Sequence, residues 1–212
     1  QSPKEVLEKI PLLKREDIRK KVRPLHNEEK QICGVKTIHH DIHTNGIIYL
    51  DMLFDVNSLS EYVPQISFLA TLLGYMDTTE HTFREFDTET NFYSGGIGSD
   101  LNIYSLYNSE DVELKFDVKT KTLAGRIKDT VRLMAEMMFK TVFTDEKHLR
   151  EVVAETRSRL KVRLMSAGHQ AAVSYSMAGI TVDGWYNDYS MGIGYYDYLV
   201  KLDENFDGEK EK

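Results

Sequence analysis

Apolar and polar positions alternate through "VKTIHHDIHTNGIIYLDMLFDV", residues 35–56. Alternation of this kind marks half-buried strands, and Thr44-Asn45-Gly46 between two such runs predicts a hairpin. A three-residue loop with Gly46 left-handed puts Ile38, His40 and Ile42 on one face with Ile48, Leu50, Met52 and Phe54. His39, Asp41 and His43 then point the other way, with His39 opposite Asp51 and Asp41 opposite Tyr49. A two-residue Asn-Gly loop would turn His39, Asp41 and His43 inward, at a large desolvation cost.

The period changes downstream. Leu59, Val63, Ile66, Leu69, Ala70 and Leu73 recur at helical spacing and predict a helix over 58–76; "HTFREFDTETNFY" predicts a second over 81–93. Two more strands are expected, at 97–107 and 112–120, then helices over 126–143, 145–168 and within 169–205. "SGGIGSD" precedes a strand rather than opening a helix, so it reads as a tight turn and not a phosphate loop. The order β-β-α-α-β-β-α-α-α predicts an α+β fold: an antiparallel sheet of four or more strands with helices packed on one face. Residues 1–32, rich in Lys and Arg and interrupted by Pro11 and Pro24, read as a linker arm with a helical turn or two, and 33–212 as the folded domain.

Composition narrows the classes. Of 212 residues, 41% are hydrophobic and 29% charged, as in ordinary globular proteins, and the formal net charge of −7 argues against a nucleic-acid partner. No apolar run approaches the roughly 18 residues of a membrane span, so no membrane partner is expected. Cys33 is the single cysteine, which rules out an internal disulfide and fits a cytoplasmic location. The chain opens without Met, inside the amphipathic phrase "QSPKEVLEKIPLL", and reads as a piece of something longer.

His39, Asp41, His43 and Asp51 are the candidate chemistry. Histidine and carboxylate are zinc ligands, and three of them converging would make a site. The bland reading is a polar sheet face with a His–carboxylate cross-strand pair. "MSAGHQAA" reads as a helix break at Gly168, and the aromatics of 185–202 as a packing surface.

Several phrases, in order, carry a resemblance: "KIPLLKREDI", "TNGIIYLDMLFDV", "FLATLLGYMDT", "NFYSGGIGSDLNIYS" and "AGHQAAVSYS". Together they resemble the presequence-protease and falcilysin branch of the insulinase (pitrilysin) family of zinc metallopeptidases, at the start of its second, non-catalytic half. The resemblance covers nearly the whole chain. It implies a catalytic half elsewhere in the polypeptide, where H-x-x-E-H binds zinc and supplies the general base, and a chamber for unfolded peptides. H-x-x-E-H does not occur here. Laid on "FLATLLGYMDT", the ligand and base positions fall on Phe68, Thr71 and Leu72, and the downstream Glu falls near Glu151 and Glu155. The resemblance therefore implies no catalytic, cofactor-binding or metal residue in this segment, with zinc held by the catalytic half. Its expected partners are that half and unfolded peptides. Two rivals stand beside it: a self-contained metal-dependent hydrolase using His39, Asp41, His43 and Asp51, and a stand-alone peptide-binding regulatory subunit.

Overall fold

A computed structural model describes residues 11–18, 20–21, 24 and 26–209. The chain divides into two units, 1–45 and 46–212. The amphipathic opening phrase, residues 1–13, lies mostly outside the described residues; Leu12 and Leu13 are exposed.

In the first unit a 3-10 turn, Arg15–Asp17, precedes an antiparallel pair: β1 (Asn27–Ile32) and β2 (Val35–His40). The turn is Cys33-Gly34, with φ of 51° and 82°. Two central residues at positive φ are what a tight type I′ hairpin needs. Every residue of β1 is exposed, and on β2 Thr37 alone is half-buried. This corrects the expected pairing. β2 pairs with β1, not with the strand after Asn45-Gly46. Those two residues do turn left-handed, with φ of 52° and 81°, but they join strands that belong to different ladders. "NEEKQI" is too polar to announce itself as a strand, so the alternating run nearest to β2 looked like its partner.

The second unit is built round one long strand. β3 (Ile47–Asp55), β4 (Ile97–Ser105) and β5 (Val112–Leu123) form an antiparallel sheet in the order β3-β5-β4. Along β5, Leu114, Val118, Thr120 and Thr122 are buried, with Lys115, Lys119 and Lys121 on the opposite face. Leu50 lies opposite Thr120 and Met52 opposite Val118, so both face the helices as expected; Ile48 and Phe54 share that face at the exposed margin. Ile38 and Ile42, expected beside them, are exposed in the first unit. The class is thus α+β and antiparallel, with the described strands split three and two between two sheets.

Helices follow the sequence pattern, with earlier stops. A 3-10 segment, Asn57–Tyr62, leads into α1 (Val63–Leu72), with Pro64 in its first turn where a missing N–H is harmless. α2 (Phe83–Tyr93) opens on a capping box between Thr82 and Glu85. α3 (Ile127–Lys140) and α4 (Glu146–Ser166) follow, the latter capped by Asp145. The expected last helix is three: α5 (Gly168–Ala178), α6 (Val182–Met191) and α7 (Ile193–Glu204), followed by the short α8 (Phe206–Glu209). The break at Gly192 has a packing cause. A Cβ there would lie 2.3 Å from the Asp188 carboxylate, which accepts from the Ile193 and Gly194 N–H groups at 2.9 Å and caps α7.

α1 touches all three apolar clusters. Phe68 and Leu72 pack with Val152, Leu160 and Leu199; Leu73, just past its end, joins Val118, Leu133 and Met137; Val63 and Ile66 meet Leu101 and Leu114. A helix apolar on several sides is a buried helix. Truncating one of the fully buried side chains, such as Leu133 or Leu199, costs about 2–5 kcal/mol.

Candidate functional site

The histidine-rich stretch does not converge. His39 lies opposite Glu28 in the ladder, with Nδ1 3.6 Å from its carboxylate, and His40 Nδ1 lies 2.7 Å from the Asn27 side-chain oxygen. Asp41 and His43 are exposed in the segment after β2. Asp51 sits in the second unit opposite Lys119, and Tyr49 opposite Lys121. The expected His39–Asp51 and Asp41–Tyr49 pairs are therefore not formed, because β2 and β3 are not ladder partners. The strand pairing lends the hydrolase alternative no support.

The positions on which the resemblance lays the family's zinc chemistry have other roles here. Phe68 and Leu72 are core residues. Thr71 bonds back to the Ser67 carbonyl at 3.5 Å. Glu151 and Glu155 are exposed on α4, Glu155 beside Arg159 at 3.4 Å. A phenyl ring, a hydroxyl and an isobutyl group do not make a zinc donor set, so this helix does not fit the metal.

A different cluster forms where α2 begins against α3. Glu136 sits on the apolar stripe of α3 among Leu133, Met134 and Met137, and is 1% exposed. Its Oε1 accepts from Thr78 Oγ1 at 2.6 Å and from His81 Nδ1 at 2.7 Å; its Oε2 lies 3.5 Å from Arg132. His81 Nε2 is 3.6 Å from Glu89, which takes a 2.8 Å bond from Arg132, while Glu80 pairs with Lys140. The hydrogen bond to Glu136 raises the His81 pKa, aided by the charges of Glu136 and Glu89; burial and Arg132 oppose it. With His81 protonated, Glu80, Glu89 and Glu136 are balanced by His81, Arg132 and Lys140.

Glu80, His81 and Glu136 are the one set of three metal-capable side chains that converges among the described residues. Each already has a cationic or hydroxyl partner, so a cation would displace Lys140 or the His81 proton. The arrangement is that of a closed ion-pair network bracing α2 on α3. The sequence did carry a signal for it: a glutamate inside an apolar helical stripe needs a buried partner.

A cleft of about 730 Å³ lies elsewhere in the second unit, bounded by α1, β4 and α4 and reaching Tyr195 of α7. None of the six network side chains lines it. Tyr195 is 6% exposed, and burial holds its hydroxyl's pKa above the usual phenol range. That hydroxyl has the Thr71 side chain as an electrostatic neighbour but no hydrogen bond of normal geometry. Ser67 Oγ and Thr156 Oγ1, also on the cleft, are unpaired too.

Family comparison places this architecture. The family model described as peptidase M-sixteen-C associated matches residues 1–202. The chain belongs to that peptidase-associated family. Within it, the chain is 30% identical over 203 residues to Protein HypA of Clostridium perfringens, covering 95% of the chain and 21% of that protein. It is 30% identical over 210 residues to presequence protease 1, chloroplastic/mitochondrial, of Arabidopsis thaliana, covering 99% of the chain and 19% of that protein. Mitochondrial presequence protease of Saccharomyces cerevisiae is 24% identical, with 99% and 21% covered. The peptidase-associated chain thus spans about a fifth of the length of the curated relatives it matches. No described helix is long and apolar enough to cross a membrane.

Proposed function

We propose that this peptidase-associated chain is the non-catalytic domain of a zinc-dependent oligopeptidase of the presequence-protease type. Its work is mechanical: it forms part of the wall of a chamber that encloses unfolded peptides, and it presents surface to a catalytic half in the same polypeptide. Residues 1–32 are the arm that joins the two, and 33–212 the domain. The zinc belongs to the catalytic half, and the compartment is the cytoplasm, in keeping with the lone, exposed Cys33.

The observation that carries this reading is the family match over residues 1–202; in keeping with it, α1 holds Phe68, Thr71 and Leu72 where the resemblance lays the family's zinc chemistry. A catalytic zinc needs three protein ligands and an open position for water. Two of the three positions here serve the core instead. A quenched-fluorescence peptide assay of the chain, with and without added zinc, tests it. The expected result is no cleavage in either arm; turnover that a chelator abolishes would contradict the reading.

A further inference from the structure

The cleft beside α1 has a backbone wall. Ile97, Gly98, Ser99, Asp100 and Leu101 all line it. Side chains on a strand alternate between faces, so five consecutive residues share a boundary through the strand's edge. Among the described residues β4 pairs with β5 alone and is an edge of its sheet. An open edge presents a row of unpaired N–H and C=O groups and is a template for another strand.

The other walls suit a peptide backbone. α1 contributes Ser67, Ala70, Thr71 and, just past its end, Gly74, small residues at i, i+3, i+4 and i+7 that leave room for close approach. α4 contributes Arg159 and Arg163, one turn apart. Arg159 is already engaged by the Tyr75 hydroxyl at 3.0 Å and by Glu155. Arg163 donates to the Met191 carbonyl at 2.6 Å and has no carboxylate partner among the described residues. Of the two acids on the cleft, Asp100 is held by Lys119, which leaves Asp87 as the one that opposes an acidic guest. Ser67 Oγ, Thr156 Oγ1 and the Tyr195 hydroxyl lie behind the cleft surface, closed off from solvent, so the polar reach into the cleft comes from the strand edge and Arg163.

We infer that this cleft binds an extended peptide as an added strand on the free edge of β4, with an acidic side chain or terminal carboxylate of the peptide on Arg163. Main-chain hydrogen bonds supply affinity in this mode and side-chain pockets supply preference. A guanidinium fork recognises a carboxylate in two-pronged geometry, which fixes the acidic choice. The inference rests on the proposed function in one respect, that unfolded peptides are the guests.

Fluorescence anisotropy of the chain with short, labelled, unstructured peptides tests it. Probes are an acidic peptide, its lysine counterpart, and two versions of the acidic peptide N-methylated at alternate residues in opposite registers. An added strand uses every second N–H, so one methylated register should bind at least about tenfold more weakly while the other is tolerated. The acidic peptide should outbind the lysine one, and Arg163→Glu, at an exposed position, should reverse that order while a cooperative thermal melt shows that the variant stays folded despite losing its bond to the Met191 carbonyl. Equal binding by both methylated registers and the parent, an unchanged preference in Arg163→Glu, or no binding at millimolar peptide would each overturn the inference. The anisotropy arms run in chelator, and the same peptides are assayed separately for cleavage with added zinc. A chain that binds no peptide and cuts none overturns this inference alone, whereas zinc-dependent cleavage overturns the non-catalytic reading.

Discussion

Residues 39–43 hold three histidines and an aspartate at the end of an exposed hairpin; near the start of α2 a single histidine, His81, rests on a glutamate 55 residues further along the chain. The crowded stretch makes pair contacts that water can replace, such as His39 beside Glu28 at 3.6 Å. The solitary histidine sits in a charge-closed network on a carboxylate that is 1% exposed. Ionic contacts matter in proportion to how little water can substitute for them. Closeness in sequence says little about that, because neighbours on a strand point to opposite faces.

The largest expected effect is at the buried pair. His81→Ala leaves Glu136 with Thr78 and a distant Arg132, and should cost about 2 kcal/mol in urea unfolding near pH 6, as loss of a hydrogen bond to a buried charged group does when its partner is partly open to water. The pH dependence sharpens this. The folded-state pKa of His81 is raised, so the native state binds the proton more tightly than the unfolded chain. The stability it contributes is fully present below the unfolded value, about 6.5, and is lost as pH rises through the raised folded value. The gap between wild type and His81→Ala should therefore shrink toward alkaline pH; a gap that widens would mean the ion pair is not its source.

A second buried carboxylate gives the counter-example. Asp117, on the other face of β5, is 4% exposed; Oδ2 accepts from Asn102 at 3.1 Å, but Oδ1 has no partner. Burial first, then the negative charge of Asp51, raises its pKa. A raised acid pKa means that ionisation costs stability above that pKa and nothing below about 3.9. Asp117→Asn should thus stabilise the fold by about 1 kcal/mol at neutral pH, with the gain fading as pH falls toward the ordinary aspartate range. Thermal melts at several pH values check it. The smallest effects belong to the exposed stretch: His39→Ala and His43→Ala should each change stability by less than about 0.5 kcal/mol.

The helices and the sheet's inward face were legible because burial imposes a period. Leu50 and Met52 face the core as their alternation required, and the helix expected over 81–93 runs from Phe83 to Tyr93. The hairpin partner was not legible: Asn45-Gly46 does turn, but turn chemistry does not say which strand comes next to which. β1, charged and exposed throughout, offers no apolar face to read. Nor was the His81–Glu136 pair, since a contact across 55 residues exists only after α2 is laid on α3. The resemblance did better on the family than on geometry, because it rests on ordered phrases rather than on strand partners.

The central claim is that this domain carries no catalytic metal. Titration calorimetry with zinc on the wild-type chain tests it most directly, repeated on His81→Ala and His39→Ala. The account predicts weak, superficial heat in all three, since Phe68, Thr71 and Leu72 offer no donor set and Lys140 and the His81 proton already satisfy the one convergent trio among the described residues. One tightly bound zinc per chain, lost in either variant, would contradict it.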